Sequence, residues 1–87
     1  MNSLEKTISI CKAYINNNFS IEEFQHQIEM IVLPDECKYT LEKEQHNTVN
    51  KLEEIRFTYL PENQKKQAIL VAEHLIKMVR SFMSKQR

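Results

Sequence analysis

A chain of 87 residues amounts to one domain, and a domain this small buries only roughly 60–65% of the surface its unfolded chain exposes, which excludes a second module or a large enclosed active site. With 41% apolar residues, 28% charged residues and a formal net charge of zero, the composition is that of a folding domain and not of a disordered tail. Glycine is absent and proline occurs twice, which disfavours tight hairpins and phosphate-cradling loops, because both usually require positive φ or a missing Cβ.

The first helix is expected to start at Ser3 as N-cap, with Leu4, Ile8, Cys11 and Ile15 repeating on one face and Ile10 and Tyr14 widening it. Asn16, Asn17 and Asn18 should stop it, since short amides compete for backbone hydrogen bonds and tolerate the left-handed conformation that glycine would otherwise supply. A second helix opens on a full start signal: Ser20 as N-cap, Glu23 reaching back, and Phe19 clamping Phe24. Its apolar positions are Ile21, Phe24, Ile28 and Ile31, and Pro34 should end it by disfavouring helical geometry at Leu33.

The third helix starts either at Asp35 or at Thr40 and runs to about Tyr59, with Leu41, Thr48, Leu52, Ile55 and Tyr59 on one arc. At about 100° per residue, Glu42, His46, Glu53 and Phe57 share the adjoining flank, bordered by Val49. Phe57 on that flank either packs against a second neighbour or stands free as a contact. Pro61 suits the first turn of a fourth helix, where its missing N–H is no loss, and Glu62 suits the helix dipole. From there Ala68, Ile69, Ala72, Leu75, Ile76, Val79 and Phe82 or Met83 form a broad apolar arc, opposite Lys66, Glu73, Lys77 and Arg80. Four amphipathic helices with short connections and no strand signal predict an all-α single domain over residues 1–87, an antiparallel up-and-down four-helix bundle.

No apolar run approaches the roughly 20 residues a bilayer span needs, and the opening Met-Asn-Ser-Leu-Glu-Lys has no secretory pattern. The expectation is a cytoplasmic protein without membrane association, with Cys11 and Cys37 reduced and buried. His26, His46 and His74 are scattered and no ligand pair holds a metal, so neither metal nor cofactor is expected. Catalysis is not expected either. Glu53 and Glu54 are adjacent on a helix and cannot converge, and neither Cys11 nor Cys37, paired with His74, sits where an oxyanion site is signalled.

Charge is uneven: residues 1–34 carry four acids and two bases, 35–62 seven and four, and 63–87 one and six. The basic end offers Lys65, Lys66, Lys77, Arg80, Lys85 and Arg87 to phosphate, which gives an alternative reading as a small nucleic-acid-binding regulator. Against it stand the acidic middle, the neutral total and the spread of cations along a whole helix.

The hydroxyl-capped "SIEEF" at residues 20–24 followed by Ile28, the apolar first helix, Leu52, the corner Tyr59-Leu60-Pro61-Glu62 and the amphipathic last helix together resemble the colicin D immunity protein family. That resemblance spans the whole chain and implies a small cytoplasmic helical inhibitor of a transfer-RNA-cleaving toxin. It would work by placing acidic side chains where the RNA phosphates lie in a basic cleft. By position, Glu62 corresponds to the family's acid after the proline, and Glu53 and Glu54 to the acidic end of the third helix. The chain departs from the family at Thr58, Tyr59 and Leu60, which are not acids, and at Arg56, so the toxin need not be a colicin or a transfer-RNase. The pediocin-like bacteriocin immunity class, also a cytoplasmic four-helix bundle with a basic C-terminal part, ranks second. The expected partner is a cognate toxin nuclease met by a monomer, with contacts at Glu42, His46, Glu53, Glu54, Phe57 and Glu62.

Overall fold

Four α-helices form where the apolar periodicity puts them, in a computed structural model that describes residues 2–85: α1 (Ser3–Ile15), α2 (Ile21–Glu29), α3 (Leu41–Thr58) and α4 (Pro61–Lys85), with a 3-10 turn at Asp35–Cys37. Among the described residues there is no strand. At a rise of about 1.5 Å per residue α4 is about 37 Å long, which sets the long axis of the 41 × 22 × 19 Å molecule. It packs on α1 and α3, α2 packs on α1 and α3, and α2 touches α4 lightly, so the helices form a ring around one core.

Local chemistry explains the helix ends. Asn2, not Ser3, caps α1: its side chain accepts the Glu5 N–H at 2.8 Å, while the Ser3 hydroxyl donates to the Val32 carbonyl at 2.8 Å. Ser20 caps α2 as the sequence indicates, accepting the Glu23 N–H at 3.1 Å. The Glu23 carboxylate, instead of turning back, accepts from the Gln27 amide at 2.9 Å. At the end of α1, Asn17 takes φ 67°, the Asn17 N–H reaches the Tyr14 carbonyl and the Asn18 N–H reaches the Ala13 carbonyl. This pair of bonds is the Schellman closure, built on asparagine in a chain with no glycine.

The core is centred a little off the predicted stripes. In α1 the buried residues are Thr7, Ile10, Cys11 and Tyr14, whereas Leu4, Ile8 and Ile15 are only partly covered. Phe24 and Ile28 are fully buried, and the ring stacked on Phe24 is Tyr14, with centroids 4.4 Å apart and planes at 9°. Thr48, Leu41, Leu52 and Ile55 line the α3 side, and Ala68, Ala72, Leu75, Ile76 and Val79 the α4 side. Tyr59 does not belong to that arc. It is 40% exposed, because α3 ends at Thr58 and the backbone turns extended at Tyr59.

Helix α2 also stops earlier than Pro34 requires. Its last helical residue is Glu29, since the Gln45 side-chain amide of α3 donates to both the Ile28 and Ile31 carbonyls at 2.8 Å and so satisfies the orphan acceptors from across the bundle. Helix α3 starts after Thr40. Pro61 opens α4, and the Leu60 carbonyl accepts the N–H groups of Asn63 and Gln64 in its first turn.

A β-carbon in the left-handed region costs roughly 1–2 kcal/mol, less for Asn. Asn17→Gly should therefore leave stability equal or higher, and Asn17→Val should lower the melting temperature by about 4–8 °C per kcal/mol lost. Thermal melts of the two variants beside the parent check this.

Candidate functional site

The end of α3 carries most of the predicted contact residues, and helix phase decides which of them act together. Glu53 and Glu54 lie one turn before Phe57, at about 40° to one side of it and about 60° to the other. All three side chains are exposed, as is Glu62 across the turn. Phe57 is 79% exposed, so the packing role that its helical flank permits is not realised; Arg56 lies beside it with its guanidinium carbon 5.7 Å from the ring centroid. The same guanidinium donates to Gln25 Oε1 of α2 at 2.9 Å, which anchors the cation that flanks the ring. Leu60, 62% exposed, adds apolar surface at the turn.

The corner itself is rigidly closed. Gln64 donates from its side-chain amide to the Arg56 carbonyl at 3.3 Å and to the Tyr59 carbonyl at 3.1 Å, supplying partners for the C-terminal acceptors of α3. Phe57 is thus presented from a fixed helix end, which lowers the ordering cost of a contact there.

The remaining candidates fall elsewhere. His46 is exposed and lines a shallow cleft of about 250 Å³ between α2 and α3 with Glu29, Gln45, Val49 and Asn50. Glu42, about three turns from the corner's acids, is half-buried. Glu54, about 60° from Phe57, borders a groove of about 710 Å³ between α3 and α4 whose floor includes Ile55 and Val71 and whose rim includes Lys51 and Leu70. His74 and Glu44 pair in that groove at 3.4 Å, Nε2 to Oε2. The groove is not legible in the sequence, because its residues mix polar and apolar side chains along two separate helices.

The basic helix is less free than its composition implies. Lys65 Nζ donates to the Tyr14 carbonyl and sits 3.6 Å from the Tyr14 ring centroid. Burial there lowers its pKa, although the carbonyl and the ring face both favour the charged form. This removes Lys65 from the set offered to phosphate, leaving Lys66, Lys77, Arg80 and Lys85 exposed on α4; Arg87 lies outside the described residues.

Cys11 and Cys37 are free and buried. Burial pushes the Cys11 thiol up to about 12; burial first, and Glu36 second, raise the Cys37 thiol. Both are held as neutral thiols, the opposite of an activated nucleophile. Among the described residues no group of His, Cys, Asp and Glu side chains could hold a metal ion, and no helix is long and apolar enough to cross a membrane. No protein-family model, curated protein or solved structure matches the chain.

A thiol whose folded pKa is raised stabilises the fold below its unfolded value and loses that contribution as pH climbs through the folded value. For Cys11 the window runs from 9.0 to about 12, and by pH 10.5 its share of the loss should be on the order of 2 kcal/mol. Burial also raises the Tyr14 pKa, which acts in the same sense. Urea unfolding at pH 8, 9 and 10.5 should show the alkaline loss, and Cys11→Ala should show a smaller one. At pH 8 neither thiol should react with an aromatic disulfide reagent until urea is added.

Proposed function

We propose that the protein is a cytoplasmic immunity-type inhibitor, an antiparallel up-and-down four-helix bundle that binds a bacterial nuclease toxin of the transfer-RNA-cleaving kind. The observation that carries this reading is Phe57, 79% exposed at a fixed helix end with exposed Glu53, Glu54 and Glu62 around it. A large aromatic that the core does not use, ringed by charge, has the composition of an interface anchor with a polar rim. The resemblance of the helix starts and of the Tyr59-Leu60-Pro61-Glu62 corner to the colicin D immunity protein family supports the same reading.

The proposed mechanism is electrostatic. A nuclease cleft must be positive to hold RNA, and carboxylates at Glu53, Glu54 and Glu62 enter that field in place of phosphates while Phe57 is desolvated against the cleft wall. Inhibition then follows from occupancy, with no chemical step. Glu42 and His46, farther along α3, form the outer edge of the contact.

The reading requires a toxin-encoding frame beside this gene, and the test is affinity for the nuclease domain of that frame. Phe57→Ala should cost about 2 kcal/mol or more, roughly thirtyfold in Kd. Charge reversal at Glu53 and Glu62 should slow association and flatten its salt dependence. Unchanged affinity in both sets would sink the mechanism.

A further inference from the structure

The function proposed above draws on the α3–α4 groove only at Glu54, and the exposed face of α3 that borders the groove has an order of its own. Asn47, Lys51 and Glu54 line the groove, and with Thr58 beyond its end they recur at spacings of four, three and four, all four exposed. At about 100° per residue they form one stripe no more than about 60° wide, running straight along α3. The spacing is palindromic. Laid antiparallel on itself across a two-fold axis, the stripe sets Lys51 against Glu54 twice and Asn47 against Thr58 twice.

Both pairings are complementary, ammonium with carboxylate and amide with hydroxyl, whereas a parallel arrangement about the same stripe would set Lys51 on Lys51 and Glu54 on Glu54. The apolar surface lies beside it. Leu70 is 56% exposed on the α4 wall and Tyr59 is 40% exposed at the end of the groove, and Leu70 lies within reach of a helix seated there.

We propose that a second copy of this chain occupies the α3–α4 groove, forming a two-fold dimer in which antiparallel α3 helices pair Lys51 with Glu54 of the partner. A monomer is expected from sequence, and the two states differ in their mass in solution. The dimer does not rest on the toxin reading, with which it shares Glu54 alone: Phe57 and Glu53 point about 60° or more away from the seam and stay exposed on both copies.

Sedimentation equilibrium tests it directly. The mass should rise from 10.4 kDa toward twice that value between about 1 µM and about 1 mM, as suits a small interface. Lys51→Glu and Glu54→Lys place like charges on both pairs, so each alone should stay monomeric, and Leu70→Glu should weaken association at least tenfold. An equimolar mixture of Lys51→Glu with Glu54→Lys should associate again, because each copy then supplies what the other lacks. That rescue separates pairing from any effect on folding. A parent protein that remains monomeric throughout, a dimer that persists in the single variants, or a mixture that fails to associate would each overturn the proposal.

Discussion

One aromatic ring ties the bundle together. Tyr14 stacks on Phe24 of α2 with centroids 4.4 Å apart, which leaves no space for a cation on that side, so Lys65 of α4, 3.6 Å from the same centroid, must cover the opposite face. Three helices therefore meet on one side chain, 1% exposed, at the last turn of α1. The backbone joins in as well: the Tyr14 carbonyl, an acceptor with no helical partner, takes hydrogen bonds from Lys65 and from the Asn17 N–H. Moving Tyr14 would disturb the core, the helix stop and the docking of α4 at once.

The opposite end is fixed by a different device. Residues 30–34 are irregular, and their carbonyls are held by side chains from distant helices, Ser3 on Val32 and Gln45 on Ile31. A chain without glycine has few tight turns available, so it closes its ends with long-range bonds from side chain to backbone. These bonds fix the positions of the helix termini, and hence the direction in which the surface of α3 faces.

Those bonds also mark the limit of what the sequence discloses. The Ser20 cap, the asparagine stop, Pro61 at the start of α4 and the apolar arc from Ala68 to Val79 are local or periodic, and each is legible from neighbours in the chain. Gln45 ending α2 and Lys65 covering Tyr14 are not, since nothing in a helical period distinguishes a glutamine or lysine that faces water from one that bridges to another helix. The α1 stripe is drawn off centre for a related reason: Thr7 carries a hydroxyl that periodicity counts as polar, yet it is buried once its oxygen donates to the Ser3 carbonyl at 2.8 Å. At the candidate site the acids and the aromatic are readable by type and phase. The exposure of Phe57 is not, because helical phase puts it on a flank that a neighbour was free to cover.

That exposure is the strongest reason to look for a partner at the end of α3. Burying a phenylalanine contributes roughly 1.5–3 kcal/mol relative to leaving it in water, a large fraction of the margin available to a domain of this size. The chain has four phenylalanines and three tyrosines, and it buries Tyr14 and Phe24 completely while leaving Phe57 out on a helix end that Gln64 and Arg56 hold in place. Arg56, held by Gln25, reaches over the ring with its guanidinium carbon 5.7 Å from the centroid, yet Phe57 stays 79% exposed. The ring is thus held at a fixed helix end and left largely in water, an arrangement that adds little to this fold and favours a surface that removes it from water.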